Sequence, residues 1–132
     1  MIGIIICTHS NLASGLKDAS EMLAGKQEKL EAIGFNGDED LVSLSTKLRK
    51  ISEENEEGTI FVCDILNGTP FNACALTISG TEDVILTGAS LPMLIELIIK
   101  RNRQQSCSEL ADSIVASSLS YIDKKVSKDI FG

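Results

Sequence analysis

Residues 4–15 read IIICTHSNLASG, and this stretch decides the fold. From Ile2 to Thr8 the run is almost continuously apolar, with none of the alternation of a strand that wets one face. A short run of this kind reads as a strand buried on both sides. It stops at Thr8-His9-Ser10, and His9 is the only histidine in the chain. A helical pattern begins at once: Leu12, Leu16, Ala19 and Leu23 are spaced 4, 3 and 4 apart, and Gly25 supplies a stop. A buried strand feeding straight into an amphipathic helix is the opening of a βαβ unit.

The same alternation continues along the chain. Leu30 to Phe35 reads as a second, weaker strand. Asp38 is placed to cap a helix with the stripe Leu41, Leu44, Leu48 and Ile51, and Glu53 to Gly58 reads as a solvated acidic turn. Thr59 to Cys63 is a third apolar run, closed by Asp64. Thr69-Pro70 reads as an N-cap followed by proline at the first helical position, opening a helix with Phe71, Cys74, Ala75 and Ile78. Val84 to Leu86 is a fourth strand, ended by Thr87-Gly88, and a helix runs from near Ser90-Leu91-Pro92 to about Asn102. Ser106 with Glu109 fits a capping box for a last helix carrying Leu110, Ile114 and Ile122. The terminal VSKDIFG is expected to form a short edge strand. The pattern predicts one α/β domain over residues 1–132, with an open, mostly parallel sheet and helices on both faces.

Composition narrows the function. Four Phe and one Tyr are the only aromatics, and 43% of residues are hydrophobic, so the core must be aliphatic. The formal charge is −7, and no block of Lys or Arg interrupts it. This argues against nucleic acid and anionic membrane as partners. No apolar stretch nears the roughly 20 residues of a membrane span, and no basic segment with a long apolar run suggests a signal peptide. Cys7, Cys63, Cys74 and Cys107 show no CxxC pairing. They read as reduced, buried thiols of a cytosolic protein.

In open α/β sheets, ligands bind beyond the carboxyl ends of the strands, where strand order reverses. Three polar clusters fall at those ends: Thr8-His9-Ser10, Asp64 with the loop Ile65 to Thr69, and Thr87 to Ser90. Each is followed at once by a helix start. An imidazole that donates Nδ1–H to a carboxylate is held in one tautomer and becomes a better nucleophile at Nε2. Free N–H groups at helix starts favour an oxygen-rich anion such as a phosphoryl group, and Gly68 lets backbone approach it. The set suits in-line phosphoryl transfer onto and off His9, oriented by Asp64, with no metal and no cofactor.

The motifs GIIICTHSNLASGL, FVCDILNGTPFNACA and LTGASLPMLIELI together resemble the IIA component of the mannose-type phosphoenolpyruvate-dependent sugar phosphotransferase system. They appear in the family's order and spacing and cover essentially the whole chain. The resemblance implies that His9 accepts a phosphoryl group from the phosphocarrier HPr and passes it to a histidine of a separate IIB component. It implies that Asp64 orients His9. The phosphoryl group is expected to be held by Ser10, Asn67, Gly68, Thr69 and Ser90. It further implies a sheet of order 2-1-3-4, and a homodimer in which a fifth, antiparallel edge strand, here VSKDIF, is exchanged between subunits. Three positions depart from the pattern: Ser10 and Asn67 stand where glycine is common, and Ser90 where asparagine is common. Membrane contact would be only indirect, through the transporter components, and the sugar of mannose type is not named by this chain.

Three other readings compete. The phosphocarrier subunit of dihydroxyacetone kinase shares the histidine chemistry and often has serine after the histidine. A receiver-type signalling domain would be phosphorylated on Asp64, but it needs an acidic pair after the first strand to hold Mg²⁺. A regulatory module would be phosphorylated without passing the group on.

Overall fold

Side-chain alternation along two central strands divides the molecule into two layers. The computed structural model describes residues 1–132. Its elements are β1 (Gly3–His9), α1 (Leu12–Ala24), β2 (Leu30–Phe35), α2 (Leu41–Ser52), β3 (Thr59–Cys63), α3 (Thr69–Ile78), β4 (Val84–Leu86), α4 (Leu91–Lys100), α5 (Cys107–Ser117) and α6 (Ser127–Phe131), with a short 3-10 turn at Ser118–Ser120. All four strands are parallel, in the order β2-β1-β3-β4. One face of β1 and β3 presents Ile4, Ile6, Ile60 and Val62 to Ala13 of α1, Leu94 and Leu97 of α4, and Leu110 and Ile114 of α5. The other presents Ile5, Cys7, Phe61 and Cys63 to Leu44 and Leu48 of α2 and Ala73 and Cys74 of α3. With helices on both sides, neither central strand can alternate in polarity, and neither does.

Several sequence expectations shift in detail. The buried line of α1 is Ala13 and Ser20 with Leu16 half-buried, while Leu12 and Leu23 are exposed. Small residues let α1 lie close to the sheet, and the Ser20 hydroxyl is satisfied by donating to the Leu16 carbonyl (2.7 Å). Helix α2 is capped by Asp40, not Asp38: Ser43 N–H donates to Asp40 Oδ1 at 2.7 Å. Gly68, not Thr69, is the N-cap of α3, which puts Thr69 and Pro70 in its first turn, where a missing N–H costs nothing. The Ser106–Glu109 capping box opens α5 as expected. Ile122 lies beyond that helix and is exposed.

The C-terminal segment is not a strand. Residues Ser127–Phe131 form α6. The Asp129 carboxylate accepts the Val126 N–H (3.1 Å), and the main chain closes Asp129 N–H to Val126 O and Gly132 N–H to Lys128 O, both at 3.0 Å. Those local bonds satisfy groups that a strand would have to pair with a sheet edge.

Far from the strand ends that matter for chemistry, Arg101 locks the bottom of the sheet. Its guanidinium is buried and donates to the carbonyls of Ile2, Glu28 and Lys29 and to Gln27 Oε1. This ties the end of α4 to the loop entering β2 and to the start of β1.

Candidate functional site

Strand order reverses between β1 and β3: the chain leaves β1 for β2 on one side and β3 for β4 on the other. The carboxyl ends of these two strands therefore form the switch-point crevice. Cys7 is level with Cys63 in the ladder. His9 lies two residues beyond that level and Asp64 one, which brings the pair together at the rim.

Both oxygens of Asp64 are engaged. Oδ2 accepts the ring Nδ1–H of His9 at 2.8 Å and the main-chain N–H of His9 at 3.1 Å. Oδ1 accepts the Ile65 N–H at 3.1 Å. An ionised carboxylate only accepts, so the ring proton sits on Nδ1 and the lone pair on Nε2. Partial burial pushes the Asp64 pKa upward, but the bonds from the His9 ring, the His9 amide and the Ile65 amide outweigh it and hold the carboxyl below its ordinary 3.8. The Asp64 side chain is 14% exposed and the His9 side chain 43%. The carboxylate is sheltered and the imidazole open.

Glycine at 68 fits against the ring. A Cβ there would stand 2.8 Å from His9 Cε1 and 3.3 Å from Nε2. Helix α3 thus starts beside the nucleophilic edge. Its first-turn amides, Thr69 and Phe71, lack intrahelical partners, and Pro70 brings none. Because the Gly68 backbone has an ordinary φ of −85°, Gly68→Ala is expected to fold with a loss below about 1 kcal/mol. The methyl group must push the imidazole aside, so transfer through His9 should slow about 10-fold. Denaturation curves and transfer rates on the same preparation check both halves; an unchanged rate would show that the contact is unimportant.

The other four residues expected at the phosphoryl group lie around the rim, and none hydrogen-bonds the imidazole. Ser10 follows His9 in a left-handed conformation (φ +52°), its N–H donating to the Phe35 carbonyl at 2.7 Å. Asn67 is also left-handed (φ +66°) and exposed. At both positions the resemblance led glycine to be expected, and both demand the backbone that glycine adopts freely. Asparagine tolerates it, while serine bears a cost of about 1 kcal/mol. Thr69 is half-buried in the first turn of α3. The Ser90 hydroxyl accepts the Met93 N–H (3.4 Å) as the cap of α4. The loop before it is fastened to the end of β3 by Gly88 N–H to Asp64 O (3.2 Å) and Ala89 N–H to Cys63 O (3.0 Å).

Two neighbours escaped the sequence reading. Phe35 stands level with His9 across the β1–β2 ladder, and its ring meets the imidazole edge-on at 6.1 Å between centroids. Gly34 lies beneath the Ser10 carbonyl oxygen, where a Cβ would collide with it. Thr8 adds support from within the strand: its hydroxyl accepts the Ala13 N–H at 2.7 Å, capping α1. A cavity of ≈ 820 Å³ lies at the opposite end of the sheet, beside Glu57, Asp83 and Cys107, and shares no residue with the His9 rim. The His9 side chain is partly open to solvent at this rim.

Comparison with known proteins places the chain in a family. Residues 3–115 match the family model for the PTS system fructose IIA component, of the mannose-type EIIA group. The fructose-specific EIIA component of Bacillus subtilis (strain 168) is 35% identical over 106 residues, covering 76% of this chain and 71% of that protein. The sorbose-specific EIIA component of Lacticaseibacillus casei is 32% identical over 114 residues, covering 85% and 82%. The mannose-specific EIIAB component of Escherichia coli (strain K12) is 33% identical over 114 residues, which are 83% of this chain and 35% of that protein. Among solved structures, the phosphotransferase system component EIIA from Streptococcus agalactiae superposes with a TM-score of 0.86 at 29% identity, covering 94% of this chain and 97% of that one. The chain belongs to the mannose-type EIIA family of the sugar phosphotransferase system. The receiver reading falls away: Thr8, His9 and Ser10 stand where its metal-binding acids would be, and Asp64 is committed to His9.

Proposed function

We propose that this chain is a phosphoryl carrier that works through His9: a single IIA phosphocarrier domain of cytoplasmic location, taking its phosphoryl group from HPr and delivering it to a IIB component. The observation that carries the reading is the 2.8 Å bond from Nδ1 to a sheltered carboxylate, made by a His9 side chain that is 43% exposed. The Nε2 lone pair attacks phosphorus of the donor's phosphohistidine. The new P–N bond forms as the donor's breaks, and the donor imidazole leaves. Charge gathering on the His9 ring is balanced by Asp64, and the Nδ1 proton stays in place. The N–H groups at the start of α3 face the oxygen-rich group, and the loop residues Ser10, Asn67, Gly68, Thr69 and Ser90 frame it. The return step is the same displacement with a IIB histidine as nucleophile, and the onward destination is a sugar of mannose type. Exposed Leu12, Met22, Leu23 and Ile99 on α1 and α4 supply apolar surface for a homodimer.

The test is a two-stage transfer. Phospho-HPr should label the protein at His9, and adding a cognate IIB should discharge the label. Absence of labelling would overturn the reading. Labelling that no IIB component removes would replace a carrier with a regulatory module.

A further inference from the structure

We infer that Phe35 is a positioning residue for His9, fixing the direction in which Nε2 meets phosphorus; the inference rests on the carrier reading above. A single hydrogen bond is a soft constraint, weakening steeply only when bent by tens of degrees. In-line transfer needs the attacking atom held within about 10–20°. The bond to Asp64 selects the tautomer but leaves the imidazole room to rock about Cβ–Cγ.

The ring of Phe35 limits that freedom on one side. Its centroid lies 6.1 Å from that of the imidazole, with planes crossed at 78°, the edge-on arrangement that aromatic pairs prefer. Phe35 is itself held at three levels. Its main chain is paired with β1 at His9. Its carbonyl receives the Ser10 N–H at 2.7 Å. Its side chain is half-buried against the layer formed by α2, α3 and the second face of the sheet. Asp64 thus sets which nitrogen is free, and Phe35 sets where that nitrogen points.

Because His9 is the only histidine, its Cε1–H signal is read by NMR without ambiguity. In Phe35→Leu the imidazole should lose order while its ¹⁵N shifts still report the proton on Nδ1. The kcat for transfer from phospho-HPr should fall about 10-fold with KM unchanged. Phe35→Tyr, which keeps the ring, should restore both ring order and kcat. Amide spectra verify the fold, and Phe35→Met repeats the test should Leu loosen β2. Wild-type ring order and kcat in the Leu variant would overturn the inference, as would a loss confined to KM or a Tyr variant no better than Leu. The ring-order measurement needs no partner, so its failure is separate from failure of the carrier reading. If the wild type accepts no phosphoryl group, that reading falls and takes this one with it.

Discussion

His9→Ala is expected to abolish acceptance of the phosphoryl group while leaving the fold in place. The chain has no second histidine to substitute. The variant keeps the His9 main-chain N–H, so Asp64 Oδ2 retains one donor and Oδ1 keeps the Ile65 N–H. The ring itself is nearly half exposed and gives up one side-chain hydrogen bond, a loss of about 1 kcal/mol. Labelling by phospho-HPr should fall to background while the melting transition shifts by only a few degrees. Unimpaired labelling would move the acceptor elsewhere in the molecule.

Asp64→Asn should slow transfer by about 10²-fold or more, in keeping with the effects of hydrogen-bond partners of functional histidines and of acid–base groups. Every hydrogen-bonding neighbour of this carboxylate is a donor. An asparagine must turn its NH₂ toward one of them. Turned toward His9, it opposes the main-chain N–H and draws the ring proton to Nε2, where the nucleophilic lone pair should be. Turned toward Ile65, it opposes that N–H instead. The substitution also changes the acid limb of stability. The folded pKa of Asp64 is depressed, so its contribution is complete above the ordinary value of 3.8 and is lost as pH falls through the lower folded value. Acid titration should therefore find Asp64→Asn less stable near neutrality, with the gap to wild type closing below pH 3.8. A rate equal to wild type would make Asp64 a structural residue only, and a gap independent of pH would show that its charge is not what the fold uses.

The layers of the fold were legible because β1 and β3 are covered on both faces, which leaves unbroken apolar runs in one dimension. His9 and Asp64 were legible for a related reason: polar side chains that end such runs must sit at the rim. What depends on the third dimension was not. Phe35 reaches His9 through ladder register, which no local spacing encodes. The close approach of α1 selects Ala13 and Ser20 over the more hydrophobic Leu12 and Leu23, since packing distance, rather than apolarity, decides which side of that helix faces the sheet. The C-terminal VSKDIF has β-branched and aromatic residues that suit a strand, yet Asp129 caps it into a helical turn. The left-handed backbone at Ser10 and Asn67 was half visible, since the resemblance led glycine to be expected at both positions.

The central claim concerns one nitrogen. The protein, phosphorylated by phospho-HPr and observed by ¹⁵N and ³¹P NMR, reports which atom holds phosphorus. The hydrogen bond from Nδ1 to Asp64 leaves only Nε2 free, so the account predicts Nε2-phosphohistidine at position 9. Phosphorus on Nδ1, or an acyl phosphate on Asp64, would contradict it.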